Sequence, residues 1–148
     1  MKTLYDPEKK QELLVRFEKL TSESKPLWGS MNAAQMLAHC TNGLQTPTGD
    51  MKMSPHPLRF IGRFFKKSFV HGDKPFKKNS PTAKELKISN PRDFTNEKER
   101  FLNAFHKLAA GEHAAVVTEH GFFGSMSPPE WGLLMYKHID HHLQQFGL

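Results

Sequence analysis

Residues 127–145 read SPPEWGLLMYKHIDHHLQQ, and this stretch carries the expectation for the whole chain. Ser127 is a helix-capping residue, and Pro128 and Pro129 suit a first turn in which no backbone N–H is needed. Glu130 stands at the third helical position of a capping box, with Met126 and Trp131 as the matching hydrophobic staple. Trp131, Leu134, Met135, His138 and His142 then recur on one side at helical spacing. The stretch predicts a long amphipathic helix that reaches almost to the C-terminus.

Three further segments carry the same period. Asp6 can cap a helix to about Leu20, with Pro7 in its first turn and Leu13, Leu14, Phe17 and Leu20 as its apolar stripe. Asn32 and Gln35 have capping-box spacing, Met31 can staple onto Met36, and Ala33, Met36, Leu37, Cys40 and Leu44 follow at helical spacing. A third segment covers roughly residues 95–110, with Phe101, Leu102, Phe105 and Leu108 on one side and Gly111 as the stop. Four such helices predict an all-α fold, a four-helix bundle in a single domain over residues 1–148, with a long crossover from about residue 46 to 93. The best strand candidate, Ala114–Thr118, is short.

Within the crossover, Pro57–Val70 is expected to form an additional short amphipathic helix. Leu58, Phe60, Ile61, Phe64, Phe65 and Phe69 make a broad apolar side, opposite Arg59, Arg63, Lys66 and Lys67. The default expectation packs the apolar side on the bundle and leaves the basic side in water. The alternative is an element that binds nucleic acid, a membrane surface or a partner, which would make the chain a non-catalytic interaction protein.

The chain has 148 residues with a net charge of +6 and one cysteine, Cys40. At this length about 68–70% of the unfolded surface can be buried, so a core needs no staples. A lone cysteine forms no internal disulfide, which suits a reducing cytosol. The opening residues MKTLYDPEKK lack the apolar run of a secretory signal, and no stretch is long enough to span a bilayer. A soluble cytoplasmic protein is expected. The positive charge is read as a solvated surface, with no specific nucleic-acid binding expected.

Nine histidines are the chemically informative residues. His138 and His142, four apart on one helix face, have Cβ atoms about 5–6 Å apart, which lets two imidazoles converge on one ion. Asp140 points away. His141, three residues from His138, offers an alternative partner, although an exposed His141 is the simpler expectation. His39, at the edge of the second helix's stripe, is the best third ligand. Three histidines with an open position are the pattern of catalytic zinc, and the donor set suits Zn, Ni, Fe or Cu. Cys40 is expected to be a small buried hydrophobe.

The stretches LWGSMNAAQMLAHC (27–40), HGFFGSMSPPEWG (120–132) and KHIDHHLQQFG (137–147) resemble the DinB/YfiT-like superfamily of four-helix-bundle metalloenzymes. They resemble most closely an uncharacterised bacterial branch, and the likeness covers nearly the whole chain. It implies that His39, His138 and His142 hold one divalent metal ion, Zn or Ni foremost. The superfamily's usual HRGQ tetrapeptide stands here as HLQQ, so its Arg and Gly are absent while His142 and Gln145 remain. Gln145, one turn from His142, either orients that imidazole or is simply solvated. His120 belongs to the branch's motif and is expected to line a pocket.

The resemblance further implies an enzyme, a hydrolase or a thiol transferase acting on a small molecule such as a low-molecular-weight thiol, with a homodimer as the expected assembly. The catalytic residues are unknown; the sequence places no carboxylate as a general base, and Glu119 and Glu130 near the start of the last helix are no more than guesses. Neither a nucleophile elbow of the G-x-S-x-G type nor a phosphate-cradling glycine loop is present.

Overall fold

The computed structural model describes residues 1–148, and its architecture is mostly helical. Five α-helices follow in order: α1 (Pro7–Phe17), α2 (Ala33–Gln45), α3 (Arg59–Lys66), α4 (Phe94–Leu108) and α5 (Pro128–Gln145). A π turn at Lys67–His71 extends α3, and 3-10 turns stand at Lys84–Leu86 and Glu112–Ala114. The only sheet pairs β1 (Glu119–His120) antiparallel with β2 (Gly124–Ser125). No helix is long and apolar enough to cross a membrane.

The helix starts follow from local capping chemistry. Asp6 accepts the amides of Glu8 and Lys9 at α1, and Asp93 accepts that of Asn96 at α4. Both α2 and α5 begin with a complete reciprocal box, Asn32 with Gln35 and Ser127 with Glu130, so two orphan amides are satisfied at each start. The expected ends were too late by a few residues: α1 stops at Phe17 and α4 at Leu108, although Leu20 and Ala109 remain buried.

Helix α2 is the centre of the molecule. Ala33, Ala34, Met36, Leu37, Ala38, His39, Cys40, Thr41, Gly43 and Leu44 are all buried, which is nearly its whole circumference. A helix enclosed on every side must be covered by several neighbours. It packs along α4 and against α5, and α5 also packs on α1. The core between them is aromatic, with Phe17 stacked on Phe101 at 4.6 Å and Trp131 fully buried. The indole of Trp131 donates to the Val117 carbonyl at 2.7 Å, so its one polar atom is satisfied.

Two expectations are corrected here. Residues 114–118 are not a strand: the 3-10 turn ends at Ala114, and the amides of Val116 and Val117 both reach the Pro47 carbonyl instead of a ladder. The helix in the crossover does not pack by its apolar side. Phe60 is 72% and Phe64 74% exposed, while Gly62 is the buried residue. The cause is polar. Arg59 pairs with Glu119 at 2.8 Å and Lys66 with Glu130 at 2.8 Å, which turns that edge of the helix inward, while Arg63 and Lys67 stay exposed.

Candidate metal centre

Helix α2 supplies His39, and α5 supplies His138 and His142, which lie one turn apart. The three rings form a nearly regular triangle, with centroids 4.8 Å apart for His39 and His138, 4.6 Å for His39 and His142, and 4.8 Å for His138 and His142. One nitrogen from each ring falls within 4.8 Å of the others, a grouping that could hold a metal ion. His39 and His142 are buried; His138 keeps some exposure, yet its Nδ1 is sealed from solvent.

Hydrogen bonds decide which nitrogens point inward with a free lone pair. His39 Nδ1 lies 2.8 Å from the Leu86 carbonyl, which can only accept, so the ring donates from Nδ1 and keeps Nε2 unprotonated when neutral. Gln145 Nε2 donates to the Trp28 carbonyl at 2.7 Å, which orients its amide. Its Oε1 therefore faces His142 Nδ1 at 2.8 Å and accepts that proton, leaving the Nε2 of His142 unprotonated as well. Both are the pattern by which outer partners set the tautomer of ligating histidines.

His39 Nε2 lies 2.8 Å from His138 Nε2. Between neutral rings this contact needs one proton, and since His39 keeps its own on Nδ1, His138 supplies it. The Nδ1 of His138 is then an acceptor with no partner, buried against α2. An orphan of this kind costs about 1–3 kcal/mol, and with a cation on Nε2 the ring's proton would stand on Nδ1, which would still lack a partner. A cation among the three Nε2 atoms would take the place of that shared proton. Tetrahedral Zn–N bonds of about 2.0–2.1 Å put ligand nitrogens roughly 3.3 Å apart. His39 Nε2 and His138 Nε2 lie 2.8 Å apart, and one nitrogen from each of the three rings lies within 4.8 Å of the others, so the residues fit the group.

Two glycines give the rings their room. A Cβ on Gly43 would sit 2.9 Å from Cε1 and 3.0 Å from Nδ1 of His138. Gly29, at φ +81°, leaves space for the Gln145 amide, which a Cβ would approach to 2.6 Å. Burial lowers the pKa of all three histidines. Repulsion from the other two rings adds to it at His138, that of His39 adds to it at His142, which falls to about 3, and the Leu86 bond partly opposes it at His39. The rings are neutral at physiological pH, the form that ligates a metal.

The other histidines and acids stand apart from the triangle. His120 accepts the amides of Phe122 and Phe123 at Nδ1, leans on Phe123 and Trp131, and is lowered by burial to about 4. His141 is half-buried rather than exposed, because Trp28 and Phe76 flank it, and its ring lies 5.1 Å from that of His142. Glu119 pairs with Arg59. Burial raises the pKa of Glu130, but bonds from Lys66, Ser127 and His71 outweigh it and bring it down to about 2. Neither acid hydrogen-bonds a histidine of the triangle, and no carboxylate joins it. Cys40 is buried, and burial pushes its thiol up, so it stays protonated in the core. Asp140 points outward to Arg16, as its phase requires.

Sequence reasoning missed Gly43, Gly29 and the carbonyls of Leu86 and Trp28. The one signal available was Gly43 itself, four residues after His39 and therefore on the same helix face. A family model described as "Protein of unknown function (DUF1569)" matches residues 6–147. No curated protein and no solved structure matches the chain.

Proposed function

In this chain, which belongs to the DUF1569 family, we propose a metal-dependent enzyme of the DinB/YfiT-like type whose His39, His138 and His142 hold one divalent ion. The chain is then one domain over residues 1–148, a four-helix bundle of α1, α2, α4 and α5 with α3 in the crossover. The observation that carries the reading is the pair of tautomers fixed by the Leu86 carbonyl and by Gln145, which leave the Nε2 atoms of His39 and His142 unprotonated within the three-histidine grouping.

When bound, a Zn or Ni ion supplies Lewis-acid chemistry at a position that three imidazoles leave open, lowering the pKa of a water or a small thiol there. The residues do the rest. Gln145 and the Leu86 carbonyl hold protons at the outer nitrogens of His142 and His39, so both rings stay neutral and correctly turned. Burial keeps them neutral near pH 7 and limits competing water. Hydrolysis or thiol transfer on a small molecule is the chemistry that suits such a site.

Elemental analysis of untagged protein tests the reading. About one Zn or Ni per chain is expected, lost in His142→Ala. A folded protein that takes up neither metal at neutral pH would overturn it.

A further inference from the structure

Amphipathic helices of globular proteins turn their apolar side to the core; α3 does the reverse. Leu58, Phe60, Ile61, Phe64 and Phe65 follow one another along its outer side and are 50–74% exposed. The opposite side is fastened down. Arg59 is held by Glu119, and Lys66 by Glu130 and the Ser125 carbonyl. Lys137 donates to the carbonyls of Phe69 and Gly72 at 2.6 and 2.7 Å, which closes the π turn onto α5. Gly62 sits so near the Phe122 carbonyl that any side chain would collide with it. The helix therefore cannot roll its phenylalanines inward without breaking these ties.

Charge identifies what this surface meets. Residues 51–90 hold ten Lys and Arg against two acids, Asp73 and Glu85, whereas the other 108 residues hold eleven against thirteen. The whole positive excess of the chain belongs to the segment that bears the apolar side. Arg63 and Lys67, both exposed and free of ion pairs, border that side, since successive residues advance 100° round the helix. A rigid apolar patch of Phe, Leu and Ile with a cationic fringe matches the boundary between acyl chains and anionic headgroups. A second copy would set two strongly positive segments against each other. Nucleic acid suits the patch less: Leu58 and Ile61 offer no ring for base stacking, and the cations flank the aromatics instead of alternating with them.

We infer that α3 and its π turn dock the protein onto an anionic lipid bilayer surface, with Phe60 and Phe64 entering the acyl boundary and the surrounding lysines on the headgroups. The inference is independent of the metal centre.

Flotation of the full chain with phosphatidylcholine vesicles, with and without phosphatidylserine, tests it. Binding is expected only where phosphatidylserine is present, and weaker as salt rises. Phe60→Ser/Phe64→Ser, at sites outside the core, should weaken it at least tenfold, on the order expected for two phenylalanines leaving an apolar phase. Arg63→Gln/Lys67→Gln, which touches no ion pair, should weaken it by about tenfold as well. Absence of binding to phosphatidylserine vesicles at low salt would overturn the inference, as would binding indifferent to both double variants. So would a wild-type dimer, or binding of single-stranded DNA, that needs Phe60 and Phe64 in a protein that ignores vesicles.

Discussion

Gly43 lies beneath the imidazole of His138, where a Cβ would stand 2.9 Å from Cε1. The contact joins α2 to α5 at the ring whose Nδ1 has no partner. Gly43→Ala should act in two opposed ways. Alanine gains up to about 1 kcal/mol over glycine inside a helix, yet its methyl displaces His138. The fold should survive, while affinity for Zn or Ni falls at least tenfold, a loss of the size seen when ligand support is disturbed. Competition with a chromophoric chelator, beside a thermal melt, separates the two effects; unchanged affinity would show that His138 does not ligate.

Gln145 connects His142 to the Trp28 carbonyl through one amide. Gln145→Leu keeps the volume and removes both bonds, leaving the buried Nδ1–H of His142 and the partly buried Trp28 carbonyl unpaired. A stability loss of about 1–3 kcal/mol is expected. Metal affinity should drop about 10–100-fold with it. Urea unfolding and metal titration on the same variant give both numbers.

Acid should unfold the protein earlier than its carboxylates alone dictate. Burial holds His120 near 4 and His142 near 3, against 6.5 for a free imidazole. A histidine lowered in the folded state binds its proton more readily when unfolded. Its contribution is fully present above about pH 6.5 and is lost as pH falls from there toward 4 and then 3. For His120 alone the loss is on the order of 3 kcal/mol, taking 1.36 kcal/mol per unit. Urea midpoints measured between neutral pH and the onset of acid unfolding should fall steadily, and His120→Gln should flatten the fall.

Arg16 binds Asp140 at 2.6 Å and donates to the Leu148 carbonyl at 3.0 Å, so it ties α1 to the C-terminal end of α5. Asp140 lies two residues from each ligand but faces away from them. Asp140→Asn should cost roughly 1 kcal/mol of stability and leave metal affinity within about twofold. A larger change in affinity would mean that the outer face of α5 reaches the site.

What could be read in the chain is what local chemistry decides. The starts of α2 and α5 were legible because Asn32 with Gln35, and Ser127 with Glu130, satisfy amides within one turn. The pairing of His138 with His142 was legible from a spacing of four. His39 was not fixed by spacing, since its bond to His138 spans 99 residues of sequence. The Leu86 carbonyl left no trace at all, because every residue carries one. For α3 the periodicity defined two sides but not which would turn inward. Glu119 and Glu130, about sixty residues downstream, decided that by binding Arg59 and Lys66. The valines at Val116 and Val117 had strand character but met the Pro47 carbonyl instead of a neighbouring strand.

Glu130 serves two elements with its two oxygens. Oε2 accepts the Ser127 amide and closes the first turn of α5, while Oε1 receives Lys66 and His71 from α3 and its π turn. Fraying of that turn frees the crossover, and lifting of the crossover deprives the turn of its cap. The two should therefore exchange their amide hydrogens as a single opening unit, so a disturbance at Lys66 or His71 is felt by the helix that bears His138 and His142.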